Sequence, residues 1–206
     1  MIRKLIAIAL LIGSSSLFAD DCNRIDPEYF DETIKRMTMT NNELLTIESY
    51  QCPINRHNYP FFYTTFHWKF TKNNQLIESG IYFDKNKKEN SGIVGQSIER
   101  VSPSTIVIDE SSERGGDLHL LHWSPNKSLV SYKLSYTSHD EDALCVSSKD
   151  DTINIQRCYW NFNVKKTRYY GDILKLKITN NTFKVMNPKV LKTFTDWDFL
   201  PDFKYQ

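Results

Sequence analysis

The sequence predicts a mainly β protein: an antiparallel sandwich, barrel or propeller-like sheet of about ten strands, with a short N-terminal helix. Three observations predict this class. The 206 residues include 12 Phe, 11 Tyr and 4 Trp, whereas Ala143 is the only alanine after residue 19; aromatic residues favour strands and alanine favours helices. Apolar side chains recur at every second position in several segments, which is the period of a half-buried strand. Polar turn pairs such as Asn73 and Asn74 separate these segments.

Strands are predicted wherever this alternation persists between turn signals. Phe62, Phe66, Trp68 and Phe70 share one face of such a segment. The predicted strands cover residues 44–50, 62–70, 75–83, 98–101, 105–109, 118–123, 128–136, 143–147, 153–162, 173–178 and 182–186. Short connections between them indicate antiparallel pairing.

Helices are predicted at the two ends of this β-rich region. Asp26 is a suitable N-cap and Pro27 suits the first turn, so a helix is expected from there to about Met37. A second short helix is expected over residues 187–198, where Pro188 again follows a capping residue.

Residues 1–19 have the three parts of a secretory signal peptide. Arg3 and Lys4 supply the positive start, residues 5–12 form a short apolar core, and a small-residue region ends at Ala19. The apolar core is too short to span a membrane, which takes about 20 residues. We therefore expect cleavage before Asp20, a single disulfide-stabilised domain over residues 20–206, a periplasmic or secreted location, and no stable membrane anchor.

The charge balance excludes a strongly basic nucleic-acid-binding chain. The full chain has 26 basic and 25 acidic residues, and the leader removes two of the basic ones, which leaves a formal net charge of −1. Proteins that bind nucleic acids or anionic membranes through general electrostatic attraction carry a clear basic excess. We expect no nucleic-acid partner.

Four cysteines, Cys22, Cys52, Cys145 and Cys158, follow the leader. An even number in an oxidising compartment indicates two disulfides, for which three pairings exist. We favour the sequential pairing, Cys22 with Cys52 and Cys145 with Cys158, because each pair brackets a local unit. No CxxC spacing is present, so a four-cysteine metal site is not expected.

One local motif lies in residues 118–130, where two apolar segments flank Trp123-Ser124-Pro125-Asn126. This segment resembles the strand, turn and strand of one blade in exported β-propeller proteins. The resemblance covers 13 of 206 residues and does not recur at a 40–45-residue period. An ordinary hairpin is the preferred interpretation.

No residue pattern predicts catalysis, a cofactor or a metal. His119 and His122 are three apart, so on a strand they point to opposite faces and do not share an ion. The chain has neither a Gly-x-Ser-x-Gly elbow nor a His-Glu-x-x-His pattern. An active site assembled from distant residues is left open by this reasoning.

The residues His139, Asp140, Glu141 and Asp142 form an acidic run between two predicted strands. It is either an ordinary solvated loop or an anionic loop that contacts a basic partner, where exposed charge steers association.

The function expected from these features is that of an exported binding or inhibitory protein, whose partner is another exported protein. Its most concrete form is an immunity-type protein that neutralises a toxin or enzyme in the bacterial envelope. The alternatives are an exported hydrolase with a nonlocal active site, and an envelope-assembly or surface-binding component.

Overall fold

The computed structural model describes residues 23–24, 34–54, 61–83, 95–112, 114–138, 143–196 and 198. Within them, thirteen strands form three antiparallel sheets, accompanied by one short α-helix. The described residues form no closed barrel. The mainly β class is confirmed, as three antiparallel sheets with one short helix; the predicted number of about ten strands is not.

The first sheet contains the five N-terminal strands. These are β1 (Asn23–Arg24), β2 (Ile34–Thr38), β3 (Leu44–Ile54), β4 (Phe61–Lys72) and β5 (Gln75–Phe83). The sheet has the order β1-β3-β4-β5, and β2 also pairs with β3. The β4–β5 turn consists of Asn73 and Asn74, both with positive φ, a conformation that asparagine tolerates better than most residues.

The middle and third sheets are each a four-stranded antiparallel meander. The middle sheet holds β6 (Gly95–Ser102), β7 (Thr105–Ser112), β8 (Gly115–Trp123) and β9 (Leu129–Thr137). The third sheet holds β10 (Ala143–Lys149), β11 (Thr152–Asn161), β12 (Lys166–Thr179) and β13 (Thr182–Val185), and the helix α1 (Pro188–Thr195) follows.

The middle sheet packs against the other two with its opposite faces. Ile106 and Ile108 belong to a buried cluster shared with the first sheet, whereas Val107 between them belongs to a cluster shared with the third sheet. Successive side chains of a strand point to opposite faces. This is why Ile106-Val107-Ile108 is apolar without interruption: both faces of β7 are covered.

Aromatic side chains dominate the cluster between the first and middle sheets. Trp68, Phe70 and Trp123 meet edge to face, with ring centroids 5.5 to 5.9 Å apart. Each large buried side chain of this kind stabilises the fold by about 1.5–3 kcal/mol through removal from water. The second cluster is mainly aliphatic, with Tyr136 and Phe194 as its buried aromatic members, and includes Ile155 and Leu174 of the third sheet.

The predicted N-terminal helix is wrong where the structure describes it. Residues 34–38 form β2, in which Met37 is the ladder partner of Leu45 on β3. Met37 is buried in the aromatic cluster, so pairing with β3 outweighs the local capping signals. Residues 26–33 lie outside the described residues. The C-terminal helix prediction is confirmed by α1.

Candidate functional site

The structure joins Cys145 to Cys158, the second of the two predicted pairs, with 5.8 Å between their Cα atoms. The two cysteines lie on neighbouring strands, β10 and β11. The Cα partner of Cys145 is Gln156, so the bridge runs diagonally across the ladder. A disulfide of this kind is compatible with an oxidising compartment.

The first predicted pair, Cys22 and Cys52, lies outside the described side chains. The flanking backbone is described, and Asn23 is the ladder partner of Gln51. The residue after Cys22 therefore lies beside the residue before Cys52. The Cys22–Cys52 disulfide stays a prediction.

The predicted partner-binding run, His139, Asp140, Glu141 and Asp142, also lies outside the described residues. Its two ends are described: β9 ends at Thr137 and β10 begins at Ala143. The run therefore connects the middle sheet to the third sheet.

His119 and His122 point to opposite faces of the middle sheet. The His119 ring lies 5.9 Å from that of Phe66, on the first sheet. His122 accepts or donates a hydrogen bond of 2.9 Å with Thr105 and faces Phe183 of the third sheet. The two histidines do not converge on a shared site.

A buried polar cluster, formed by Glu110, Asp117 and His119, lies where β7 pairs with β8. Glu110 and Asp117 are ladder partners, and His119 is two positions along β8 on the same face. Nε2 of His119 lies 3.1 Å from a carboxylate oxygen of Glu110, and its Nδ1 lies 3.0 Å from the Tyr82 hydroxyl. One nitrogen or oxygen atom from each of the three cluster residues lies within 4.8 Å of the other two. The sequence analysis missed this cluster, because only the β7–β8 register brings its members together.

Polar side chains from both sheets surround this cluster. Gln96, the ladder partner of Glu110, accepts a 2.8 Å hydrogen bond from Ser49 of the first sheet. The side-chain amide nitrogen of Gln96 and the Thr64 hydroxyl are buried without a hydrogen-bond partner among the described residues. Buried polar atoms usually have a hydrogen-bond partner. Two hydrogen-bond donors between the first and middle sheets therefore have no acceptor among the described residues.

A separate carboxyl group, Asp109, faces the other side of β7. The Tyr136 hydroxyl donates a 2.9 Å hydrogen bond to it. Burial raises the pKa of Asp109 to about 6, although the Tyr136 hydrogen bond works in the opposite direction. Burial, together with the nearby Asp109 carboxylate, also raises the pKa of Tyr136. The pair holds β7 to β9 and is enclosed by the third sheet, so we assign it a structural role.

The outer face of the third sheet carries four lysines: Lys149, Lys175, Lys177 and Lys184. We call this surface the lysine face. Three of the four belong to one row across the sheet, because Lys149 pairs with Thr152, Thr152 with Lys177, and Lys177 with Lys184. All four lysines are exposed. Lys175 and Lys177 alternate with Leu174 and Leu176, which are buried against the middle sheet.

A cavity of about 280 Å³ opens on the same face. Its lining includes Ser147, Asn154, Gln156, Tyr169 and Lys175. Tyr169 is 61 % exposed, and Trp160, nearer the end of the sheet, is 49 % exposed. The face therefore combines cations, amide groups and exposed aromatic rings.

The chain segment that forms the third sheet and α1 is rich in basic residues. Residues 143–196 contain ten basic and four acidic side chains, a formal net charge of +6. The near-neutral total of the whole chain conceals this excess, since acidic residues predominate elsewhere. A charge count over segments, together with the alternation of leucine and lysine in 174–177, is the sequence signal that would have identified it.

A comparison of the chain with protein-family models finds no match. Curated proteins and solved structures give none either. Within the parts of the chain that the structure describes, no helix is long and apolar enough to cross a membrane.

Proposed function

We propose that this chain is an exported binding or inhibitory protein, and that its lysine face docks onto an acidic surface of another exported protein. An immunity-type protein that neutralises a toxin or enzyme in the bacterial envelope is the most concrete version. The observation that carries the proposal is the row Lys149, Lys177 and Lys184 on an exposed sheet face.

Electrostatics favours a partner at this face. Lys177 and Lys184 are direct cross-strand partners, and like charges opposite each other destabilise a sheet. The row itself holds three lysines and Thr152, whereas the acidic residues nearest in sequence lie in the β10–β11 turn (Asp150 and Asp151) and at the bulge of β12 (Asp172). An acidic partner surface would relieve this repulsion and would be steered to the face before contact.

The exposed aromatic residues favour a protein rather than a simple polyanion as the partner. Tyr169 and Trp160 offer large, rigid contact areas beside the lysines. Tyrosine and tryptophan are enriched at the centres of protein interfaces, where they account for much of the binding energy. A protein surface with carboxylates around an apolar centre therefore suits this face.

The acidic run His139, Asp140, Glu141 and Asp142 is a second proposed contact, of opposite charge. It leads into β10, the first strand of the third sheet. We propose that it contacts a basic part of the same partner. Changing Asp140, Glu141 and Asp142 together to serine should slow association at low salt with little change in melting temperature; equal association rates would make the run an ordinary solvated loop.

Export itself belongs to the proposal. We propose that residues 1–19 are cleaved as a signal peptide and that residues 20–206 form one domain in the periplasm or outside the cell. The Cys145–Cys158 disulfide supports an oxidising location. An exported hydrolase with a nonlocal active site is the alternative proposal.

The lysine face is tested with two matched double variants. K175S/K177S removes two lysines from the face, and K69S/K72S removes two exposed lysines from β4 of the first sheet. Both variants change the net charge by the same amount. The probe is poly-L-glutamate, an acidic polypeptide, with oligo-dT and phosphatidylglycerol vesicles as the comparison polyanions.

We expect K175S/K177S to slow association with poly-L-glutamate about tenfold at low salt, because electrostatic steering contributes 10- to 1,000-fold to such rates. K69S/K72S should change the rate less than twofold. Added salt should make the association rates of the wild-type protein and both variants equal, because it screens the attraction. Equal rates for the two variants would contradict the proposal. If oligo-dT or the vesicles bind more tightly than poly-L-glutamate, and this binding depends on Lys175 and Lys177, the partner is a nucleic acid or a membrane and the proposal of a protein partner is wrong.

A further inference from the structure

We infer that Glu110, Asp117 and His119 form a binding site for one divalent transition-metal ion, for which Zn²⁺ is the appropriate probe. The site lies between the first and middle sheets, on the opposite side of the middle sheet from the third sheet and its lysine face. It is independent of the proposed docking function.

The ligand atoms are already close together. One nitrogen or oxygen atom from each residue lies within 4.8 Å of the other two. Zinc binds histidine nitrogen and carboxylate oxygen at about 2.0–2.2 Å, which places neighbouring ligand atoms roughly 3–3.5 Å apart. Small rotations of the two carboxylates would therefore complete the set without moving β7 or β8. Two carboxylates and one imidazole suit a borderline metal ion better than Ca²⁺ or Mg²⁺, which take oxygen ligands.

The groups behind the ligands are those that a metal site uses. The Tyr82 hydroxyl lies 3.0 Å from Nδ1 of His119, so it can accept a hydrogen bond from Nδ1–H, which is the tautomer whose Nε2 lone pair can bind a metal ion. Asp117 accepts a 2.7 Å hydrogen bond from Ser135 and lies 3.2 Å from the Lys133 ammonium. Such hydrogen-bond partners orient metal ligands, and their loss lowers metal affinity about 10- to 100-fold.

The charge of the cluster also favours a cation. Glu110 and His119 are each 1 % exposed at the side chain, and buried carboxylates require compensation. Two carboxylates face a single imidazole in the cluster, so the set of ligand atoms is acidic, as a cation site requires. The amide nitrogen of the buried Gln96 side chain, beside Glu110, has no hydrogen-bond partner among the described residues, so it provides a donor for a water molecule or another ligand on the ion.

An ion could reach this site from one side. The Asp117 side chain is 13 % exposed, in contrast to Glu110 and His119. Asp117 is therefore the ligand nearest to solvent and the one whose replacement disturbs packing least.

The experiment uses untagged protein, treated with EDTA and dialysed, and titrated with ZnCl₂. Competition with a chromophoric chelator gives affinity and stoichiometry, and a thermal melt gives the linked stabilisation. We expect one Zn²⁺ per chain and a higher melting temperature in its presence. D117N should weaken binding at least 100-fold, whereas Y82F should weaken it about 10- to 100-fold and keep the 1:1 stoichiometry.

The control variant is H122Q, which changes the histidine on the opposite face of β8. It should bind Zn²⁺ like the wild-type protein. Absence of saturable 1:1 binding in the wild-type protein would overturn the inference. So would binding that D117N preserves or that H122Q abolishes. D117N remains informative even if replacement of the buried His119 prevents folding.

Discussion

The buried guanidinium of Arg157 ties the α-helix α1 to the sheets, and its removal should destabilise the protein more than any surface change. Arg157 lies on β11 and is 3 % exposed. It donates hydrogen bonds of 2.7 Å to the Thr137 carbonyl and 3.0 Å to the Thr193 carbonyl, and a longer one of 3.4 Å to the Phe194 carbonyl. One side chain therefore satisfies carbonyls at the end of β9 and in the last turn of α1.

The R157M variant isolates this contribution, because methionine retains much of the apolar stem and loses the donors. A hydrogen bond involving a charged group is worth about 1.5–3 kcal/mol. The two short bonds then give an expected loss of about 3–6 kcal/mol. The Phe194 carbonyl adds little, since it also accepts a 3.2 Å hydrogen bond from the Thr137 hydroxyl.

The assay is thermal unfolding together with limited proteolysis. For a chain of this size, 1 kcal/mol corresponds to about 2–4 °C, so the melting temperature should fall by roughly 6–24 °C. Cleavage near α1 should become faster at temperatures where the sheets are intact. The matched control is R168M, at an exposed arginine of β12, which should change stability by less than about 0.5 kcal/mol. A fall of less than 2 °C for R157M, or equal falls for both variants, would refute this account of helix docking.

Three further predictions concern covalent structure, pH and processing. Replacing Cys145 and Cys158 with serine should lower the free energy of unfolding by about 3 kcal/mol, because the unfolded chain regains the entropy of the short loop that they close. Peptide mapping without reduction should also find Cys22 joined to Cys52. A Cys22–Cys158 peptide would contradict the pairing. Burial lowers the pKa of His122, so the unfolded chain binds the proton more readily than the folded one. The free energy of unfolding should therefore fall as the pH drops below about 6.5. H122Q should flatten this dependence of stability on pH, and an unchanged dependence would contradict the prediction. N-terminal sequencing of the periplasmic fraction should begin at Asp20, whereas an intact Met1 or a lipid on Cys22 would contradict export as a cleaved protein.

Local patterns were sufficient for most of the individual strands. The prediction for residues 75–83 coincides with β5, because the Asn73-Asn74 turn follows the alternating strand β4 and marks the start of its hairpin partner. The strand predicted at 173–178 is shorter than β12, which begins at Lys166. Its first half is polar and interrupted near Gly171 by a bulge, so no alternation indicates a strand there.

The stacking of the three sheets was less accessible to local reasoning. Residues 34–38 have helix-compatible spacing, and only the contact with β3 makes them a strand. The continuous apolar run Ile106-Val107-Ile108 does contain the information that both faces of β7 are buried. Which sheets cover those faces depends on contacts between residues far apart in the chain.

The candidate sites differ in how far the sequence could predict them. The lysine face can be predicted from the sequence, because the alternation of leucine and lysine places Lys175 and Lys177 on the outer side of a half-buried strand. The cluster of Glu110, Asp117 and His119 is not, since it depends on the pairing of Glu110 with Asp117 and on the packing of Tyr82 from another sheet. Register and sheet packing are tertiary properties that single-strand patterns do not specify.

The most direct test of the docking proposal is site-specific photo-cross-linking in cells. A photo-reactive amino acid replaces Lys184 on the lysine face in one strain and Lys69 on the first sheet in another. We predict that position 184 gives a discrete adduct with one acidic exported protein, that the adduct is lost when Lys175 and Lys177 are also changed to serine, and that position 69 gives none. An adduct of equal yield from both positions, or one that persists in the K175S/K177S background, would contradict docking through the lysine face.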